Sequence, residues 1–113
     1  MEINTIIEKY LFEASINKKK ATYEFDLKVA RSIKRCFEHL NIQYVSDLNR
    51  ETLFSIILYY KNHTKKKNAG INQTIEWLYG IFYHFEIENP LGKFKKLPDD
   101  TENFKHFKHN ELY

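Results

Sequence analysis

The sequence predicts an all-α chain, a compact bundle of four main helices. Three observations carry this. Apolar residues recur every three or four positions in four separate segments, which lines them up on one helical face. The two-residue alternation of a half-buried strand is hard to find anywhere. No internal repeat or low-complexity tract points to another architecture. The 113 residues are enough for one compact domain and too few for two. Nine Phe, eight Tyr and one Trp supply the bulk a small core needs.

The first helix is expected over residues 3–14, where Ile3, Ile6, Ile7, Tyr10, Leu11 and Ala14 share a face. Polar residues 15–20 then break the pattern. The second helix is expected over 22–40, with the Thr22 hydroxyl as its N-cap. Ala30, Ile33, Phe37 and Leu40 form its inner stripe, flanked by Val29 and Cys36. Lys28, Arg31 and Arg35 fall on the opposite face, where Glu24 and Glu38 can pair with them. Residues 41–49 read as a connection ending in Asn49, a cap for a third helix over 50–63. Leu53, Ile56, Ile57 and Tyr60 are the buried stripe there. Residues 65–70 read as a basic loop ending in the helix breaker Gly70. A fourth helix follows over 71–85, with Ile71, Ile75, Leu78, Phe82 and Phe85 at helical spacing. Gly80 lies inside it, and close approach of a neighbouring helix is expected to compensate for its cost. Asn89-Pro90 ends the helical part. Residues 91–101, with Gly92, Pro98 and two aspartates, read as a linker, and the chain stops inside an aromatic, helix-prone pattern.

Composition excludes several classes. Cys36 is alone, so no intrachain disulfide forms, and its apolar surroundings mark a buried, inert thiol. No leader precedes Glu2 and Asn4, and no apolar run spans a bilayer, which places the chain in a reducing cytoplasm. The first helix carries Glu2, Glu8 and Glu13 against Lys9, so an anionic membrane surface repels it. No Gly-rich phosphate loop is present, nor a Ser or Cys nucleophile motif with a placed His. His106 and His109 are three apart, but two ligands do not make a metal site.

The net charge is only +3, yet it is segregated. Lys18, Lys19, Lys20, Lys28, Arg31, Lys34 and Arg35 face only Glu24 and Asp26 within residues 18–35. Lys65, Lys66 and Lys67 form a second cluster, and Lys93, Lys95 and Lys96 a third. The first two immediately precede helices. Helix N-termini offer unpaired amides and a positive dipole end, both suited to phosphate. Asn68, Asn72 and Gln73 follow the second cluster, and amide side chains bridge phosphates or read adenine. Loops before helices attract lysine for solubility too, so the clusters alone leave a plain solvated surface open.

The order of motifs resembles a known family. Thr22 opens a long amphipathic helix after a lysine run. Asp47-Leu48-Asn49-Arg50-Glu51-Thr52-Leu53 opens the next. Ile71-Asn72 begins a helix with an aromatic-rich end, followed by Asn89-Pro90 and Lys96-Leu97-Pro98. Residues 3–98 resemble the N-terminal core-binding, or SAM-like, domain of tyrosine recombinases, the phage-integrase family. Phe107 and Asn110-Glu111-Leu112 resemble the first residues of that family's catalytic domain. The resemblance implies a core-binding domain over 1–90, a basic linker over 91–103 and the truncated start of a catalytic domain over 104–113.

It also implies a function. The domain clamps duplex DNA at the recombination site for DNA integration, while the catalytic domain grips the other side. The second and fourth helices lie against the major groove. DNA contact then falls to Lys19, Lys20, Thr22, Lys66, Lys67, Asn68, Asn72 and Gln73, and along the linker to Lys93, Lys95 and Lys96. The parent enzyme cuts and rejoins DNA through a phosphotyrosine, whereas this chain only binds. No cofactor or metal is implied, and no Tyr here is the nucleophile. The partners are double-stranded DNA and other recombinase protomers. Two departures stand out: Asp26 replaces an aromatic four residues after Thr22, and the fourth helix reaches Asn89-Pro90 early. The alternative is a helical protein-interaction module using exposed aromatics and the first helix.

Overall fold

A computed structural model of the chain describes residues 1–98. Four helices follow one another: α1 (Ile3–Asn17), α2 (Lys20–His39), α3 (Arg50–His63) and α4 (Asn68–His84). A short 3-10 turn, Val45–Asp47, lies between α2 and α3. Among the described residues the only bridge of strand type is an isolated one between Glu2 and Tyr44. The all-α expectation is met. Several boundaries differ from those expected, and each difference has a physical cause.

α1 runs three residues further than its apolar stripe. Ser15, expected to break the pattern, donates its hydroxyl to the Phe12 carbonyl at 2.6 Å and stays helical. Only Lys18 and Lys19 are extended, which makes a tight corner into α2. Thr22 is not the cap of α2. Lys19 holds that position, and the Tyr23 amide already bonds the Lys19 carbonyl at 2.9 Å, so Thr22 lies within the first turn. Val29, Ala30, Ile33, Cys36 and Phe37 are buried along α2 as its spacing predicts. So is Asp26, which spacing does not predict.

Asn49 caps α3 as expected. Its Oδ1 accepts from the Thr52 amide at 3.0 Å, and Thr52 Oγ1 accepts from the Asn49 amide at 3.1 Å. The stripe Leu53, Ile56, Ile57 and Tyr60 is buried. In the preceding connection Asp47 Oδ2 accepts from the Tyr44 and Gln43 amides, which hold its carboxyl below the ordinary value. The start of the chain is tied to the same connection, with Ile3 bonding Gln43 and Val45 bonding Met1.

α4 begins at Asn68, so Gly70 does not break it and only residues 64–67 lie between α3 and α4. Asn68 is buried and donates to the Pro98 carbonyl at 2.9 Å, a contact from outside the helix that local composition does not show. Gly80 also departs from expectation. Among the described residues a Cβ there would meet nothing within 4 Å, so no described helix approaches it. After α4 the chain reverses at Glu86, whose φ is 56°, and runs back along α4 as a strap. Leu91 in this strap is fully buried, and Phe94 and Leu97 pack on the core. The core takes side chains from all four helices, from Leu48 and from the strap.

Candidate nucleic-acid interface

The corner between α1 and α2 presents two lysines. Lys19 and Lys20 are exposed, as is Thr22. Lys18 turns inward: its ammonium donates to Asp26 Oδ2 at 2.9 Å and to the Tyr10 hydroxyl at 2.7 Å, and lies 4.7 Å from the Tyr10 ring centre. Burial works against that ammonium, but the bonds to Asp26 and Tyr10 outweigh it and hold its pKa above the ordinary lysine value. Asp26 is 2% exposed. Its other oxygen accepts from Trp77 Nε1 at 2.9 Å, which joins the start of α2 to the middle of α4. The residue that departs from the family pattern therefore anchors the corner.

At the start of α4, Lys65, Lys67 and Gln73 are exposed. Lys66 is half-buried, with its ammonium over the Tyr60 ring at 5.8 Å. Asn68 and Asn72, expected beside these lysines on DNA, have their amides directed to the strap. Asn72 Nδ2 donates to the Leu97 carbonyl at 3.0 Å, and its Oδ1 accepts from the Leu97 amide at 2.8 Å. On the strap, Lys93 and Lys95 are exposed, and Lys96 lies 3.4 Å from Glu76 in a pair open to solvent.

Lys18 and His84 line one cleft, whereas Lys67 caps the opposite end of α4. The two lysine-bearing helix starts therefore sit at opposite ends of a 17-residue helix, about 25 Å long. A line of exposed residues leads along α2 from Lys20 through Glu24, Lys28 and Arg31 to Arg35, at spacings of three and four. The expected contact residues omitted Lys28, Arg31 and Arg35, although helical spacing already puts them together on the outer face. Lys34 leaves that line to pair with Glu8 of α1.

Other groups have different places. Cys36 is fully buried, and burial pushes its thiol up to about 12. Tyr60 is fully buried, 3.0 Å from the Ser32 hydroxyl, and burial raises its pKa. His84 meets Glu13 at 3.0 Å, and the His39 and His63 rings lie 4.6 Å apart. Among the described residues no three side chains of His, Cys, Asp or Glu are grouped as a metal would need. His106, His109, Phe107 and residues 110–112 lie outside the described residues. Phe12 and Ile16, one turn apart on the outer face of α1, are each about two-thirds exposed. No described helix is long and apolar enough to cross a membrane.

Fold and surface thus define an all-helical protein whose lysines gather at two helix starts and along one strap. The chain is similar to a probable integrase/recombinase of Acholeplasma phage L2, 21% identical over 112 residues. The match covers 99% of this chain and 39% of that relative's length. No protein-family model matches the chain, and no solved structure does.

Proposed function

We propose that the chain is the DNA-binding, core-binding domain of an integrase of the tyrosine recombinase family. The observation that carries this reading is the similarity to a probable integrase/recombinase along almost the whole chain. The surface supports it. Lys19 and Lys20 stand at the first turn of α2, which has no side-chain cap, so its amides remain available to an anion. Lys65 and Lys67 stand just before α4 and add exposed charge there. Lys93 and Lys95 extend the cationic surface along the strap, and Gln73 is the amide left exposed to reach a base edge. In this reading the duplex phosphates meet both ends of α4 and the outer line of α2. Cutting and rejoining would belong to the rest of the parent enzyme.

The test is titration with a mixed-sequence duplex of about two helical turns, followed by amide NMR across a salt series. Binding should be weak, should shift amides near Lys20 and Lys67, and should fall steeply with salt because phosphate contacts release counterions. Lys19→Ala with Lys20→Ala, and separately Lys65→Ala with Lys67→Ala, should each flatten the log–log salt slope by about 2. A duplex that moves no amide at low salt would sink the proposal. The exposed pair Phe12 and Ile16 supports a second role for α1, contact with another protein chain; in an integrase assembly this would be a neighbouring protomer.

A further inference from the structure

Residues 91–98 have a linker's composition but a built element's contacts. Leu91 is fully buried, and its carbonyl and that of Lys93 accept from the Arg50 guanidinium. The Gly92 carbonyl accepts from the Tyr79 hydroxyl at 2.7 Å, and the Phe94 ring meets the Tyr79 ring edge-on at 6.2 Å. Further along, Asn72 binds both the carbonyl and the amide of Leu97, and Asn68 takes the Pro98 carbonyl one turn earlier on α4. A primary amide offers one acceptor and two donors, so Asn72 pairs with Leu97 as a neighbouring strand's peptide group would. The strap therefore runs antiparallel to α4. It keeps Phe94 and Leu97 against the core and leaves Lys93 and Lys95 exposed.

We infer that Asn72 and Tyr79 are positioning residues for DNA, acting through the strap they hold; this role rests on the DNA-binding reading above. Asn72 fixes the Lys95 end and Tyr79 the Lys93 end. The strap lysines and Lys65 and Lys67 at the start of α4 then form one preformed cationic ridge. On a free linker the same lysines would still attract phosphate, but each would have to be ordered on binding, which weakens the contact. Asn72 therefore serves binding without touching DNA, which reverses the role its place after the lysine cluster suggests.

The experiment uses the whole chain and the mixed-sequence duplex. In the unaltered chain the Leu97 amide should be protected from hydrogen exchange, and Asn72→Ala should release it while α1–α4 keep their amide protection. Affinity at low salt should fall about two- to tenfold for each lysine end set free. Lys95→Ala should weaken binding less in the Asn72→Ala background than in the unaltered chain, since coupled sites are not additive. Tyr79→Phe keeps the ring and removes only the bond to Gly92. It should couple to Lys93→Ala in the same way, and it serves if Asn72→Ala does not fold. Equal affinity with a freed Leu97 amide, or an equal cost of Lys95→Ala in both backgrounds, overturns the role of Asn72. No binding by the unaltered chain overturns the DNA-binding reading itself, and this role with it.

Discussion

Asp26 sits nearly two turns into α2, where its carboxylate has lost nearly all contact with water. An ionised carboxylate is stable there only if charge and hydrogen bonds replace its hydration. Lys18 and Trp77 supply them, eight and fifty-one residues away. Nothing local in the sequence announces this. Asp26 is legible there only as an acid where the family pattern has an aromatic, because its partners are set by how α1, α2 and α4 pack. Asp26→Ala should destabilise the fold by about 2–3 kcal/mol, measured by urea unfolding. That is below the usual cost of breaking a buried pair because the Lys18 side chain, 31% exposed, recovers some water. The pair also sets a pH dependence. The folded-state pKa of Lys18 is raised, so its stabilisation is whole below the unfolded value near 10.5 and is lost as pH rises through the folded value. Cys36 and Tyr60, both raised by burial, lose stability on the same alkaline side. Asp26→Ala should remove Asp26's part of the Lys18 share, leave that of Tyr10, and make the alkaline loss shallower; an unchanged profile would mean the Lys18–Asp26 bond contributes nothing.

At the scale of the helices, the buried stripes were readable and the starts were not. Ile71, Ile75, Leu78 and Phe82 are buried as their spacing requires, and the Asn49 cap of α3 has a side-chain signature. α2 and α4 follow Lys19 and Lys67, which cap with no side chain and so carry no signature. The start of α4 is held instead by Asn68 bonding Pro98, thirty residues on. Gly80 shows the opposite error. A mid-helix glycine suggests a close neighbour, yet the face it occupies is open. Its cost is then uncompensated, and Gly80→Ala should stabilise the isolated chain by about 1 kcal/mol. Urea midpoints decide this. A loss of stability would show that something packs on that face of α4 after all.

The whole molecule depends on whether the strap belongs to the bundle. Composition divides the chain at Pro90, because Gly92, Pro98 and three lysines resemble a linker. The apolar residues Leu91, Phe94 and Leu97 are too few to reveal a period, so only the packed structure shows them docked. A chain ending at residue 90 would lose the fully buried Leu91 and the bonds from Arg50, Tyr79 and Asn72, and would bare apolar surface on α4. Burial of a large aliphatic side chain contributes about 1.5–3 kcal/mol, and a hydrogen bond about 1 kcal/mol net. The entropy of ordering residues 91–98 offsets much of this, so chains ending at residues 90 and 98 should differ by about 2–5 kcal/mol in urea unfolding, with the shorter one weaker. On the proposed DNA-binding reading, the same comparison has a second readout. If the strap is part of the fold, removing it takes away Lys93 and Lys95 as fixed charges and lowers the salt slope along with stability. If the two chains are equally stable, the strap is only a tether, and the fixed cationic surface shrinks to the two helix starts.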